Sequence, residues 1–420
     1  MTRRTLLAGR RGVGLGVVAE AVGPRVEPIL AGVFSALRRW CPVVSTSRFA
    51  VVVRDDDVRQ VLARRDVFSV SRYRAKATAV VGPFPLALDQ PDEYEPARAV
   101  LDAGVRSHDP EVLARRAEAL AATAVARAAG AGGARVDVVG DVVDAVLLPL
   151  VAGYLGLGPC DPGELARCSR LLFTEVFFLS SPTLRPAASA MAIDLRDRVA
   201  DVVAARATAA PSAGDGPDDV LGRLLAAGLP EPVVAMTLVG LFVASFPNSS
   251  KTAALMAAEL LARPAELGPA EEAAAADAER FAAYAWEAAR FRPQAAGVMR
   301  RCERDCRLGL ATRRPATVRR GATVLALTQS AMMDEAAVEA PRQFRLDRPW
   351  ADQLHFGHGL HTCLGMRMMR PVLPAVLRPL FALGGLRPAP GAAGRLAWRY
   401  PYPSRLVVTV GGPATSGRNR

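Results

Sequence analysis

The sequence predicts a mainly α-helical protein with a small β region. Apolar residues recur with the helical period over three long stretches, from Glu111 to Ala128, from Val136 to Tyr154 and from Ala187 to Ala205. Strand-like runs are short, as in Phe49–Val53 and Leu406–Val410. No internal repeat is visible, so the sequence favours one large helical domain over an array of similar units.

Further elements follow from capping residues and chain breakers. Three aspartates at the start of Asp55–Val67 predict a helix there, and Asp219–Ala227 is a second, shorter one. Thr323–Leu327 has the composition of a strand. The Gly-, Pro- and Ser-containing stretch Ala210–Pro217 predicts a surface loop, and Val233–Ala262 predicts a long apolar helix.

Composition narrows the function classes. Half of the 420 residues are hydrophobic, yet no run approaches the ~20 consecutive apolar residues of a membrane span, so we expect no membrane-spanning helix. The net charge is +12, but the arginines are scattered rather than clustered with aromatic residues, which argues against nucleic-acid binding. The positive charge suits an acidic protein partner better.

Cysteine usage and the N-terminus indicate a cytoplasmic protein. Six cysteines in so long a chain show no disulfide framework of the secreted kind. The pair Arg3-Arg4 superficially resembles a twin-arginine export signal, but Arg10 and Arg11 interrupt the apolar region that should follow. We therefore expect no export.

One cysteine has unusual surroundings. Cys363 lies in the run Phe356-Gly-His-Gly-Leu-His-Thr-Cys-Leu-Gly365, and a helical pattern begins at Leu364. Glycines allow a sharp turn and the close approach of a large flat ligand. A thiolate at a helix N-terminus is stabilised by unsatisfied N–H groups and by the helix dipole, so Cys363 is the candidate chemical centre.

This decapeptide resembles the haem-ligand loop of the cytochrome P-450 family. Phe356, Gly359, His361, Cys363 and Gly365 match its pattern. The resemblance implies haem b as cofactor, with Cys363 as the iron ligand, Phe356 beside the sulfur and His361 hydrogen-bonded to a haem propionate.

The resemblance runs from about residue 47 to about residue 410. It implies a triangular helical prism around haem, formed by a single catalytic domain at 47–410. Residues 1–46 would then be an N-terminal segment and residues 411–420 a C-terminal tail.

A zinc site is the alternative interpretation of the same run. His355, His358 and His361 lie close to Cys363 in the sequence, and three imidazoles with one thiolate could form a tetrahedral shell. Structural zinc sites usually draw their ligands from two separated pairs, however. Zinc would also leave Phe356 and the glycines unexplained.

A second motif lies upstream. Glu287 and Arg290 share one face of a predicted helix. Alone, such a pair is most often a solvated surface ion pair of little energetic value. Its position resembles the K helix of the cytochrome P-450 family, which implies a buried structural cluster with a third member, Arg345 or Arg348, of which we favour Arg348.

Two further arginines resemble residues that bind haem propionates in the family. Arg300 lies shortly after the Glu287-containing helix, although its neighbour Arg301 competes for the role. Arg98 resembles the C-helix arginine, but Tyr94 stands where a histidine is usual.

The long apolar helix departs from the family pattern. There the equivalent helix crosses the distal face of the haem, and an acid followed by a threonine protonates dioxygen. This chain has Pro247 and Asn248 at those positions, followed by Ser249. Proline has no N–H and predicts a kink, and neither an amide nor a serine ionises near neutral pH. We expect a retained groove with an altered proton relay at these catalytic positions; the alternative is a harmless kink or a helix end.

Three functions remain open. The resemblance first implies a monooxygenase that inserts oxygen into an apolar small molecule, with electrons from an acidic ferredoxin or flavodoxin-type donor. The second is a peroxide-using, ring-coupling or rearranging haem-thiolate enzyme, since family members with unusual residues at these distal positions include such enzymes. The third is a haem-binding protein without turnover.

Overall fold

The computed structural model describes residues 27–82, 84–130, 135–158, 161–178, 183–209 and 218–411. Most of them are helical. The α-helices are α1 (Glu27–Trp40), α2 (Asp55–Ala63), α3 (Ser71–Val81), α4 (Pro91–Ala103), α5 (Asp109–Gly130), α6 (Ala145–Leu155), α7 (Pro162–Phe177), α8 (Pro186–Thr208), α9 (Val220–Ala226), α10 (Glu231–Leu261), α11 (Pro264–Ala276), α12 (Ala278–Phe291), α13 (Thr328–Ala331) and α14 (Met366–Phe381). The predicted loop at 210–217 lies outside the described residues.

The strands are short and form four small sheets. They are β1 (Val43–Ser45), β2 (Phe49–Val52), β3 (Phe68–Ser69), β4 (Arg135–Asp137), β5 (Val298–Cys302), β6 (Cys306–Leu308), β7 (Ala316–Val318), β8 (Thr323–Ala326), β9 (Leu386–Pro388), β10 (Ala397–Arg399), β11 (Tyr402–Arg405) and β12 (Val407–Val410). The largest sheet has the order β1-β2-β8-β5-β3, and within it β2 and β8 are parallel. Because β1 pairs with β2, part of the predicted N-terminal segment joins this sheet.

The long apolar helix is confirmed as α10 and lies at the centre of the helical part. It packs against α6, α7, α8, α12 and α14. A helix that is apolar on nearly all sides must be buried, and α10 is mostly so. It and the segment Val138–Leu155 are each long and apolar enough to span a membrane, but most of both is buried inside the protein, as in a core helix.

In the predicted helix from Val136 to Tyr154, only the second half, from Ala145 onward, is α-helical. Val136 lies in β4, a π-helical segment follows at Val138–Asp144, and α6 completes the stretch. The Val138 N–H donates to the Leu406 carbonyl, and the Asp137 carboxylate accepts from the Val139 N–H. Strand pairing and this side-chain cap therefore replace the first helical turns.

Helix α14 continues through three prolines. Pro371, Pro374 and Pro379 all lie within Met366–Phe381. Each removes one backbone donor, but the helix buries a continuous apolar face against α5 and α12, and that packing holds it together.

Candidate active site

Hydrogen bonds within the chain close the cysteine loop. The Cys363 N–H donates to the Phe356 carbonyl over 2.8 Å, and the Cys363 carbonyl accepts from the Met366 N–H over 3.1 Å. The Thr362 hydroxyl donates to the Gly359 carbonyl over 2.8 Å. Cys363 is thus fixed immediately before the first turn of α14.

The predicted amides at the sulfur are present. The N–H groups of Gly365 and Met366 hydrogen-bond to Cys363 and lower the pKa of its thiol. The residue is solvent-accessible, yet protein atoms surround the sulfur closely, and this desolvation outweighs the amides and raises the pKa. Without a nearby positive charge, the neutral thiol is therefore the favoured form of this side chain.

Two of the loop's glycines are required by the backbone. Gly357 and Gly359 have φ angles of 74° and 75°, which other residues adopt only with strain. A Cβ atom on Gly359 would lie 2.8 Å from the Ala63 Cα, so the loop packs directly on the end of α2. Gly365, with φ of −77°, has no such constraint.

Phe356 belongs to an aromatic cluster behind the cysteine loop. Its ring centroid lies 5.5 Å from that of Trp286 and 6.1 Å from that of Trp350. The His355 ring packs on both tryptophans, and the Arg370 guanidinium lies 4.1 Å over Trp350. The two tryptophans were not predicted as part of the site, because single aromatic residues in a helix and a loop carry no motif.

The side chains of the predicted structural cluster lie together. Arg290 makes a bidentate ion pair with Glu287 at 2.8 and 2.9 Å, and both side chains are buried. Arg348 donates from Nε to the same carboxylate over 3.0 Å. Arg345 gives Glu287 only its backbone N–H, while its guanidinium pairs with Asp347, so Arg348 is the third member.

The residues predicted to bind propionates have different surroundings. Arg300 is buried, its Nε has no partner among the described residues, and burial lowers its pKa. His361 Nε2 lies 3.1 Å from Asp89 Oδ1. Arg98 is partly exposed and pairs with Asp102 over 3.0 Å. Asp89 was not foreseen, since it lies 272 residues from His361 in the sequence.

One face of α10 is open. In the middle of the helix, between Thr237 and Ala258, its partly exposed residues lie three, four and seven positions apart, which is the spacing of one helix face. They are Leu241, Ala244, Ser245, Asn248 and Thr252.

Asn248 has a defined orientation on this face. Its side-chain amide donates from Nδ2 to the Ala244 carbonyl over 2.7 Å. Because a carbonyl can only accept, the NH2 group must face Ala244, which leaves the Asn248 amide oxygen to accept from another group.

The other predicted distal residues do not lie on the open face. Ser249 is buried and donates to Met369 Sδ over 3.2 Å. Pro247 is buried within the uninterrupted helix, and Ser250 donates to Asp144 over 2.6 Å. Of the three predicted catalytic positions, the structure brings only Asn248 to the open face.

The zinc alternative finds no support in the geometry. Within the part of the chain that the structure describes, no three His, Cys, Asp or Glu side chains are grouped as metal ligands. His361 faces Asp89, and the His355 ring is packed on Trp286.

Solved structures share this fold over nearly the whole chain. The ligand-free cytochrome P450 TbtJ1 is 22% identical, with a TM-score of 0.74 over 91% of this chain and 98% of its own. P450BioI, solved with a hexadec-9Z-enoic acid-ligated acyl carrier protein, is 17% identical, with a TM-score of 0.76 over 92% and 100%. The chain therefore has the cytochrome P450 fold.

Sequence relatives match over short segments. Psi-producing oxygenase A of Emericella nidulans is 40% identical over 80 residues, which are 19% of this chain and 7% of that protein. Linoleate diol synthase of Gaeumannomyces graminis is 36% identical over 100 residues, or 23% and 8%. A putative cytochrome P450, YjiB of Bacillus subtilis, is 37% identical over 84 residues, or 20% of each.

The chain thus spans less than a tenth of the first of these relatives. No family model matches it. The predicted resemblance and the mainly helical fold class are confirmed by the shared fold. The predictions of a haem-dependent oxidoreductase and of haem b as its cofactor agree with this fold.

Proposed function

We propose that the protein is a haem-thiolate monooxygenase that inserts oxygen into an apolar small molecule in the cytoplasm. The observation that carries this proposal is the closed cysteine loop at the start of α14, where the glycines, the two amides at the sulfur and the Phe356 carbonyl all serve to present Cys363. A structural cysteine needs none of these features, and a buried one would be inert.

The residues present fit haem b. Cys363 would hold the iron, and the buried Arg300 guanidinium, whose Nε has no partner among the described residues, suits a propionate. An uncompensated buried guanidinium is costly unless an anion pairs with it. When bound, haem supplies the oxidising centre, and a thiolate ligand favours O–O cleavage.

The open face of α10 would hold and orient the substrate. Two of its five residues, Leu241 and Ala244, are apolar and suit a hydrocarbon surface. P450BioI was solved with a hexadec-9Z-enoic acid-ligated acyl carrier protein, a further structural neighbour, CYP109E1 of Bacillus megaterium, was solved with testosterone, and one relative is a linoleate diol synthase. These names favour a long-chain acyl group or a similarly apolar skeleton.

The electron donor would be an acidic ferredoxin or flavodoxin-type protein. The net charge of +12 supports this choice, because opposite charges steer a transient partner to the surface.

The first experiment is the absorbance of purified, reduced protein exposed to carbon monoxide, beside a Cys363→Ser variant. We expect the strongly red-shifted band of thiolate-ligated ferrous haem in the wild-type protein and its loss in the variant. Haem binding without that band, or an unchanged band in Cys363→Ser, would show that Cys363 is not the iron ligand.

Asn248 favours a second candidate, a haem-thiolate enzyme that uses peroxide or rearranges its substrate. Its fixed amide offers an oxygen acceptor where an acid–alcohol pair would deliver protons, so an oxidant that carries its own proton suits this face.

The two candidates separate by the oxidant that supports product formation. Product formation with a reduced ferredoxin and dioxygen would favour the monooxygenase. Product formation with hydrogen peroxide alone would favour the second candidate. In the variant Asn248→Thr, which places an alcohol on the open face, the monooxygenase predicts a larger share of electrons recovered as product; an unchanged share with an intact haem spectrum would count against it.

A further inference from the structure

Asp89 makes a set of contacts beside the cysteine loop that the proposed function does not use. It lies shortly before α4, and its two carboxylate oxygens accept from the Val70 N–H over 3.1 and 2.9 Å. One of them also faces His361 Nε2 over 3.1 Å. The carboxylate thus joins the backbone before α3 to a side chain two positions from Cys363.

The imidazole of His361 is enclosed as well as bonded. The side chains of His361 and Asp89 are 6% and 11% exposed, so water competes little for their hydrogen bond. The Tyr94 ring meets the imidazole edge-on at 5.8 Å, and the Tyr94 hydroxyl donates to the Leu360 carbonyl over 3.0 Å. The His361 ring is therefore held in one orientation by a bond on one side and a ring on another.

The Asp89 carboxylate also interacts electrostatically with Arg300. The charge of Asp89 acts on the buried Arg300 guanidinium, although no ion pair joins the two side chains. Asp89 therefore lies within the electrostatic reach of both basic groups that would receive propionates, while its own hydrogen bonds are made to Val70 and His361.

We propose that Asp89 is a positioning residue that fixes His361 for a haem propionate. The proposal rests on the haem site of the proposed function. Because a carboxylate can only accept, Nε2 must donate to Asp89, so the ring is fixed with Nδ1 on the opposite side, where it donates to a propionate when the imidazole carries both protons. Carboxylates behind the histidines of metal sites act in the same way, and their loss typically weakens binding by about 10–100-fold.

Haem release from the purified ferric protein to an excess of apomyoglobin tests the proposal. We expect Asp89→Ala to accelerate release by about 10-fold. His361→Ala should also accelerate it. If Asp89 acts through His361, adding Asp89→Ala to His361→Ala produces no further acceleration, because the bond between them is already absent.

A merely structural role gives a different result. If Asp89 serves only to hold the Val70 amide, Asp89→Ala accelerates release by the same factor in both backgrounds, and the proposal is overturned. No acceleration in the wild-type background overturns it as well. Asp305→Ala is the matched control, since this exposed acid pairs with Arg319 on the surface and should leave release unchanged.

Asp89→Asn keeps the test readable if the alanine variant fails to fold. The amide retains an oxygen for the Val70 N–H but loses the charge that strengthens the bond to His361. We expect a smaller acceleration that again disappears in His361→Ala. If the wild-type protein binds haem but oxidises no substrate, the proposed function is overturned. The haem-release rates of the Asp89 and His361 variants can still be compared, so the two failures are distinguishable.

Discussion

The loop that carries Cys363 and the open face of α10 differ in how their polar groups are satisfied. In the cysteine loop, the Cys363 N–H donates to the Phe356 carbonyl and Thr362 donates to the Gly359 carbonyl, and the neighbouring Glu287 carboxylate accepts from three residues. On the open face, Asn248 makes one hydrogen bond along its own helix.

This difference separates residues that define the fold from residues free to define the reaction. A buried charge that loses its partner destabilises the protein strongly, whereas a partly exposed amide can rebond to water. Substitutions on the cysteine side should therefore lower stability and haem retention together, and those on the open face should alter chemistry at little cost in stability.

The largest effect is expected from the buried ion cluster. Arg348→Ala removes the hydrogen bonds that its guanidinium donates to Glu287 and to the carbonyls of Glu339, Ala340 and Gln343, and should lower the free energy of unfolding by about 3–5 kcal/mol. Urea denaturation of the haem-bound protein measures this. Arg345→Ala is the matched control, because its guanidinium pairs only with Asp347 and Glu339 near the surface and should change stability by less than about 1 kcal/mol. Equal losses would contradict the assignment of Arg348.

The next effect concerns the two ends of the cysteine loop. Gly359→Ala forces a side chain into a φ of 75° and against the backbone of Ala63, at a cost of at least about 1–3 kcal/mol. Gly365→Ala places its Cβ 3.7 Å from Cys363 Sγ, an ordinary contact, at an unstrained φ. Thermal unfolding should show a clear loss for the first variant and little for the second; the reverse order would contradict the packing of the loop on α2.

A pH-dependent effect on stability arises at His355. Burial, together with the charge of Arg290, lowers its pKa to about 3 in the folded protein, against 6.5 for the free side chain. Below pH 6.5 the unfolded chain binds a proton that the folded chain does not, so stability falls as pH decreases toward 3. The slope approaches about 1.4 kcal/mol per pH unit.

The variant His355→Phe tests this. It keeps a ring against Trp286 and Trp350 and removes the titrating group, so urea midpoints measured across the acidic range should depend less on pH. An identical pH dependence in both proteins would assign the effect to other groups.

The two regions also differ in what the sequence reveals. Cys363 and the Glu287–Arg290 pair were predictable because their geometry is set by residues within one loop or one helix turn. Asp89 and His361 meet only through the tertiary fold, so no local spacing indicates their contact. In α10, nearly uniform apolar composition hides which face is open, and Ser249 was therefore placed on the wrong side of the helix relative to Asn248.

Asn248→Ala should have the smallest effect on stability, although it should alter the chemistry at the open face. The lost bond to the Ala244 carbonyl is worth about 0.5–1.5 kcal/mol, and the better helix propensity of alanine returns about half a kcal/mol. The net change in the free energy of unfolding is then about 1 kcal/mol or less. Asn248→Thr, whose hydroxyl can donate to the same carbonyl, is the matched variant. If Asn248→Ala instead lowers stability as much as Arg348→Ala, the residue is part of the fold, and its departure from the family pattern no longer bears on the oxidant.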